Sequence, residues 1–167
     1  MPLSAMKNYF KKLFFYKETP HQFALSCSFA MYVAISPFIG LHTLMLIGIG
    51  WFFNLNVPLL VGLGYAINNP FTLVPIILGT YYFGYWLLHS VLGVSIIQST
   101  PLWMVGINNF LNAYVGLSDI SFWAFMCGAN ILGVLLALLT YPFSKKLFIW
   151  WKKRKNFSNN YHNHHNQ

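Results

Sequence analysis

The sequence predicts an all-α, polytopic integral membrane protein with broken or re-entrant helical hairpins and an amphipathic N-terminal helix. The chain has 167 residues, of which 57% are hydrophobic and only 7% are charged. No Asp, Glu, Lys or Arg occurs from Thr19 to Ser118. A soluble domain carries roughly a quarter charged residues, because its surface must be solvated. A bilayer removes that requirement, so the composition favours a membrane protein.

The basic residues are concentrated at the two ends of the chain, as Lys7, Lys11, Lys12 and Lys17 and then as Lys145, Lys146, Lys152, Lys153, Arg154 and Lys155. Basic clusters beside membrane spans face the cytoplasm and attract anionic lipid headgroups. We therefore expect both termini to be cytoplasmic, which requires an even number of crossings. Nucleic acid is not an expected partner, because no base-stacking or groove-reading element accompanies these charges.

The sequence divides into three parts. Residues 1–18 place apolar and basic side chains on different faces of a helix, which is typical of an amphipathic helix lying on the cytoplasmic leaflet. Residues 19–144 form the transmembrane domain. Residues 145–167 are basic and then rich in Asn and His, which predicts a disordered cytoplasmic tail.

A capping residue followed by proline recurs along the transmembrane domain. Ser, Thr and Asn accept hydrogen bonds from the first N–H groups of a helix, and proline suits its first position. The pattern predicts helices that begin near residues 20, 37, 57, 70 and 101, and Ser118 or Asp119 predicts another near residue 120.

Helix length then predicts which of these helices cross the membrane. A crossing needs about 20 residues at about 1.5 Å each. Residues 70–91 and 120–142 are long enough, whereas the segments before residue 70 are short and are expected to form hairpins or re-entrant helices. The segment 98–119 contains several amides and is expected at the far interface.

Two of the predicted helix starts fall inside apolar sequence, and they define a candidate ligand-binding site of Ser36, Pro37, Gly40, His42, Asn68, Asn69, Pro70 and Thr72. Helix N-termini that open inside a membrane favour an anion such as a phosphate or a carboxylate. The alternative is that Ser36 and Asn69 only cap buried half-helices. For His42, an ionisable residue within the membrane, the alternative is a neutral ring bonded to a neighbouring helix.

Catalytic chemistry is not expected. Asp119 is predicted to cap a helix, and no Ser or Cys has an evident base and orienting group. Cys27 and Cys127 are expected to be buried free thiols rather than a disulfide or a metal pair. We therefore expect no enzyme, no cofactor and no metal site.

Three short motifs in order resemble the bacterial membrane proteins of the family DUF2062. They are Pro37-Phe38-Ile39-Gly40-Leu41-His42-Thr43, Asn56-Val57-Pro58 and Asn69-Pro70-Phe71-Thr72, followed by Gly84 in the next helix. The resemblance covers roughly residues 20–92 and implies a location in the bacterial inner membrane. It implies no activity. Ser28 and Tyr32 stand where the family usually has glycine, so packing of the first helix is expected to differ.

Two functional hypotheses follow. The first is binding or translocation of an anionic or amphiphilic small molecule, such as a phospholipid, at the two proline breaks. The second is a non-catalytic membrane scaffold or anchor that acts through a protein partner, for which the exposed helix faces or basic ends matter more than the breaks.

Overall fold

Six helices and no strand make up the part of the chain that the computed structural model describes, residues 19–38, 40–93, 101–116 and 120–164. The helices are α1 (Pro20–Ile35), α2 (His42–Phe52), α3 (Val57–Ile67), α4 (Pro70–Trp86), α5 (Leu102–Val115) and α6 (Phe122–His164). A π-helical turn, Leu87–Val91, extends α4. The predicted all-helical class is therefore confirmed. The predicted amphipathic helix of residues 1–18 lies outside the described residues.

Neutral side chains cap three of the helices that follow the pattern of a capping residue and proline, α1, α3 and α4. Thr19 Oγ1 accepts a hydrogen bond from the Gln22 N–H at 3.2 Å, and Gln22 Oε1 accepts one from the Thr19 N–H at 3.2 Å. Asn56 Oδ1 accepts a hydrogen bond from the Leu59 N–H at 3.1 Å and begins α3. Such caps satisfy N–H groups that have no partner within the helix. The predicted starts near residues 20, 57 and 70 are confirmed, and α5 and α6 begin close to the other two.

The predicted helix start at Pro37 is wrong. Ser36 ends α1 instead, because its N–H donates to the carbonyls of Tyr32 and Val33 at 2.9 and 3.1 Å. Pro37 restricts the residue before it to an extended conformation, and Ser36 accordingly has ψ 148°. The chain then turns at Gly40, whose φ of +94° is accessible to glycine but incompatible with a right-handed helix. Helix α2 therefore begins only at His42.

Helix α6 forms the long axis against which α1 and α4 pack. At one end of α1, His21 Nδ1 and Tyr141 Oη form a hydrogen bond of 2.7 Å. At its other end, the Tyr32 hydroxyl donates to Asn130 Oδ1 at 3.1 Å. Helix α1 therefore runs antiparallel to α6 and ends beside a part of α6 that carries no charged side chain.

The contact between α4 and α6 is a close crossing of small residues, Thr80 and Gly84 on α4 with Ala124 and Gly128 on α6. A Cβ atom on Gly84 would lie 1.9 Å from the Ala124 carbonyl oxygen, and a Cβ on Gly128 would lie 1.9 Å from the Thr80 carbonyl oxygen. The two backbones therefore touch directly. Small residues four apart on both helices are typical of helix packing in lipid, where burial of apolar surface drives little association.

Helices α2 and α3 form a short apolar hairpin that packs on α1. Each has 11 residues and rises about 16 Å, which is too short to cross a bilayer. Leu46 of α2 and Leu60 of α3 are buried against Ala30 and Val33 of α1. The hairpin tip carries Trp51 with 83% of its surface exposed, and Trp is a residue type enriched at membrane interfaces.

A second core joins α4, α5 and α6. Met104 and Leu111 of α5 are fully buried and pack with Ile77 of α4 and with Phe125 of α6. Helix α5, which belongs to the segment expected at the far interface, thus inserts two side chains between the long helices. Its amides do not prevent this, because a helix can bury one face and expose the other.

Two helices are long and apolar enough to cross a membrane, Phe71–Val91 with 21 residues and Phe122–Arg154 with 33. They correspond to the two segments that the sequence predicted to be long enough.

The C-terminal segment differs from the prediction. Residues 145–164, expected to belong to a disordered tail, continue α6 as helix to His164. Extension of an existing helix needs no new nucleation, and Lys and Arg are good helix formers.

The crossing of α4 and α6 predicts a large difference between two glycines of the same helix. Gly84→Ala should destabilise the protein by roughly 2–3 kcal/mol, because the methyl group would overlap the α6 backbone. Gly79→Ala is the control, since nothing lies within 4 Å of its Cβ position. Thermal unfolding in detergent should show a fall in Tm of roughly 5–10 °C for Gly84→Ala and no fall for Gly79→Ala. Equal Tm values for the two variants would contradict this packing.

Candidate functional site

Four helix ends meet at the break between α1 and α2. The end of α1 at Ser36 and the start of α2 at His42 are joined by a hydrogen bond from the His42 ring to the Ser36 carbonyl. The end of α3 at Asn68 and the start of α4 at Asn69 are consecutive in the chain, and Asn68 contacts His42. The sequence therefore brings its two predicted breaks together in space.

His42 connects the two breaks through both nitrogens of its ring. Nε2 lies 3.2 Å from the Ser36 carbonyl oxygen, and Nδ1 lies 3.0 Å from Asn68 Nδ2. A carbonyl only accepts, so Nε2 carries the proton, and Nδ1 accepts from the Asn68 amide. The two contacts join the ring to neighbouring helix ends, which is the kind of bonding that the alternative interpretation of the histidine described. The ring also satisfies a carbonyl at the end of α1, which has no partner within that helix.

Asn69 and Thr72 form a capping box in which their polar side-chain atoms hydrogen bond to backbone groups of the protein. Asn69 Oδ1 accepts from the N–H groups of Phe71 and Thr72 at 3.0 and 3.1 Å. Thr72 Oγ1 accepts from the Asn69 N–H at 3.0 Å, and its hydroxyl donates to the Ile67 carbonyl. Asn69 Nδ2 also donates to the Ala66 carbonyl at 3.2 Å. At this second break the capping alternative therefore describes the observed contacts.

A cavity of about 240 Å³ opens beside His42, and we call it the break cavity. Its polar lining comes from Thr43, Tyr65 and Asn68 together with His42, and its apolar lining includes Val33, Ala34 and Leu46. The hydroxyls of Thr43 and Tyr65 lie 2.7 Å apart and hydrogen bond to each other. Within the described residues, no three His, Cys, Asp or Glu side chains come together, so this lining offers hydrogen bonds rather than a set of metal ligands.

The start of α2 is the helix end at the break cavity that no side chain caps. Leu41 occupies the N-cap position and provides no hydrogen-bonding side chain. The first turn of α2 includes His42 and Thr43, which both line the cavity. The positive end of the helix dipole, with N–H groups that no side chain caps, therefore lies at the cavity wall.

The structure separates the predicted site residues into two groups. Gly40, His42 and Asn68 line the break cavity. Four others adjoin the break without lining the cavity, Ser36, Pro37, Asn69 and Thr72, and Pro70 begins α4 beside them. The Ser36 side chain is 3% exposed, and its hydroxyl has no hydrogen-bond partner among the described residues.

Sequence reasoning missed Thr43 and Tyr65. Tyr65 lies three residues before Asn68 on α3, a spacing that places two side chains on one helical face. That spacing was the available signal. The hairpin between α2 and α3 brings Thr43 to Tyr65. The two helices pack closely there, because a Cβ on Gly64 would meet Leu46 at 2.5 Å.

The contact between His42 and Asn68 predicts a measurable coupling energy. Single changes to Ala at either position should each destabilise the protein, because each leaves a polar partner unpaired in an apolar environment. Unfolding in mixed micelles should show a double-mutant coupling of roughly 1 kcal/mol. The control cycle pairs His42→Ala with Asn56→Ala, at the opposite end of the hairpin, and should be additive within about 0.5 kcal/mol. Additivity in both cycles would rule out the contact.

Comparison with known proteins agrees with the motifs. A bacterial family described as "Uncharacterized protein conserved in bacteria" matches residues 3–156. The match includes every helix start described above and the whole break. No curated protein and no solved structure matches the chain. Because the family match covers most of the chain, the protein is a member of the family DUF2062.

Proposed function

We propose that this chain is a non-catalytic, multi-pass protein of the bacterial inner membrane that binds an anionic amphiphile, such as a phospholipid through its headgroup, in the break cavity. The observation that carries the proposal is the uncapped start of α2 at the wall of that cavity. A helix N-terminus without a side-chain cap leaves N–H donors for an anionic oxygen.

The positions of the two ends of the domain support a membrane orientation with both termini in the cytoplasm. His21, near the start of α1, bonds Tyr141, which precedes the basic run of α6 that includes Lys145 and Lys146. The lysines of residues 1–18 therefore join the chain at the same end as the basic part of α6. Basic residues on one side of a membrane domain indicate its cytoplasmic side.

The place where α1 ends supports a break within the bilayer. Tyr32, four residues before Ser36, bonds Asn130, and a Cβ on Gly133 would lie 3.2 Å from the Tyr32 ring. Both α6 residues lie between Phe122 and Lys145, in the uncharged part of the helix. Irregular backbone is tolerated at such a depth only where protein or a hydrated cavity satisfies it.

The lining of the break cavity favours an anionic group attached to an apolar body. Hydroxyl and amide groups accompany the helix N-terminus, whereas Val33, Ala34 and Leu46 offer apolar contact. The volume is below the roughly 300–1,000 Å³ typical of pockets for drug-sized ligands. The cavity therefore suits a headgroup or another small anion, with the remainder of an amphiphile outside it.

This proposal narrows the hypothesis drawn from sequence. Two helix N-termini were expected to face a ligand, but the start of α4 is capped by Asn69. The proposed ligand therefore contacts the first turn of α2 together with Thr43, Tyr65 and Asn68.

Filling the break cavity tests the proposal. Ala34 is 4% exposed and lines the cavity, so Ala34→Leu should occupy the space of the ligand. Ala66→Leu is the matched control, because Ala66 is exposed on α3 and does not line the cavity. Native mass spectrometry of protein released from gentle detergent should show one more bound anionic amphiphile on the wild type and on Ala66→Leu than on Ala34→Leu. Ala34→Leu should lose it at least tenfold.

An equal number of bound anionic amphiphiles on the wild type and on a folded Ala34→Leu would contradict the proposal, as would nonselective lipid adducts on all three proteins. Either result would favour the membrane scaffold that acts through a protein partner. Circular dichroism and size-exclusion profiles matched among the three proteins would establish that Ala34→Leu remains folded.

A further inference from the structure

A second concave surface lies between α1 and α6, away from the break cavity, and we call it the α1–α6 groove. Its walls come from Leu25, Ser28, Phe29 and Tyr32 on α1 and from Val134, Ala137, Leu138 and Tyr141 on α6. On both helices these residues follow the same spacing of three, four and seven, which places them on one face. The groove has a volume of about 360 Å³ and is about 10 Å long, from seven residues of helix.

The surface of the groove is apolar, although three of its wall residues carry a hydroxyl. Tyr32 and Tyr141 lie at the two ends of the groove, and Ser28 lies between them. The Ser28 hydroxyl donates to the Ala24 carbonyl of its own helix at 2.9 Å. The Tyr32 hydroxyl is bonded to Asn130, and the Tyr141 hydroxyl is bonded to His21. These hydroxyls therefore have partners within the protein, and the groove between them offers only carbon to an occupant.

The groove is open on one side and has a cation at one end. Val134 and Leu138 are 48% and 66% exposed, so an occupant could enter sideways. Lys145 Nζ lies 5.8 Å from the centre of the Tyr141 ring, and Tyr141 closes that end of the groove. An apolar slot that ends beside an exposed ammonium group matches the two parts of an anionic lipid.

We propose that the α1–α6 groove holds one acyl chain of an anionic phospholipid whose phosphate lies beside Lys145. About 10 Å of groove accommodates part of an extended chain, and the rest continues into the bilayer. The inference rests on the membrane placement proposed above and is independent of the break cavity.

Charge favours this occupant over the segment that precedes α1. Residues 1–18 contain Lys7, Lys11, Lys12 and Lys17, so their docking along the groove would bring like charges toward Lys145. A phosphate brings the opposite charge. The acyl chain also needs no partner for a backbone, whereas a peptide in an apolar groove must satisfy its own N–H and C=O groups.

Adjacent residues provide matched variants for the test. Leu138→Trp places a large ring in the groove, and Leu139→Trp is the control, because Leu139 is 68% exposed and does not line it. Lys145→Gln removes the charge beside Tyr141. Lys146→Gln is its control, because Lys146 is the next residue along the chain and its charge is also exposed. The readout is native mass spectrometry of delipidated full-length protein mixed with phosphatidylglycerol or with phosphatidylcholine of identical chains.

The wild type and Leu139→Trp should each bind one phosphatidylglycerol molecule more than Leu138→Trp, in preference to phosphatidylcholine, and the occupancy of that molecule should be at least tenfold lower in Leu138→Trp. Lys145→Gln should reduce the preference for phosphatidylglycerol about fivefold, as expected for one basic residue at a membrane surface, and Lys146→Gln should reduce it less. Ala34→Leu should keep this lipid, so failure of the groove and failure of the break cavity are distinguishable.

Three results would overturn the inference. The first is equal binding by Leu138→Trp and Leu139→Trp, and the second is equal binding of the two lipids by the wild type. The third is a changed ratio of monomer to dimer in Leu138→Trp with no change in bound lipid. That result would assign the groove to contact between two copies of the chain.

Discussion

The rest of this fold depends on one constraint: the backbone N–H and C=O groups at its helix ends must obtain hydrogen bonds from uncharged side chains. From Thr19 to Ser118 no charged side chain is present, yet the chain contains several helix ends within that range. Each end leaves backbone groups without partners, and an unpaired group in an apolar environment costs several kcal/mol. Thr19, Asn56 and Asn69 supply neutral caps at helix starts, and His42 supplies one at the end of α1. The starts of α2 and α5 depart from this rule, and the break cavity lies at the first of them.

The packing of the long helices fixes the position of the uncapped start of α2. Helices α4 and α6 touch backbone to backbone at Gly84 and Gly128, which leaves no space for adjustment at their crossing. Helix α1 is tied to α6 at both ends by neutral hydrogen bonds of His21 and Tyr32. The short hairpin of α2 and α3 packs on α1 and adjoins the start of α4, so the four helix ends at the break are positioned by a rigid frame. A cavity in such a frame is preorganised for a ligand, which reduces the cost of binding.

The sequence predicted most of the helices and part of the site. Thr19-Pro20, Asn56-Val57-Pro58 and Asn69-Pro70 each marked a helix start because the cap and the proline act within one turn. Ser36-Pro37 also consists of a capping residue and a proline, but it ends a helix, since the positive φ of Gly40 redirects the chain three residues later. The contact of His42 with Asn68 and that of Thr43 with Tyr65 depend on how the hairpin folds back. Such contacts between residues distant in sequence cannot be obtained from local spacing.

Measuring the depth of the break in a bilayer tests the central claim most directly. Phe71 is 92% exposed beside Asn69, so a spin label on Phe71→Cys, with Cys27 and Cys127 replaced, reports on the surroundings of the break without entering the core. Leu139→Cys provides the reference for the uncharged part of α6 and Lys153→Cys the reference for its basic end. We expect the label at residue 71 to collide with oxygen more than with a water-soluble nickel chelate, as at residue 139. Collisions dominated by the nickel chelate, as at residue 153, would place the break in water and contradict the account.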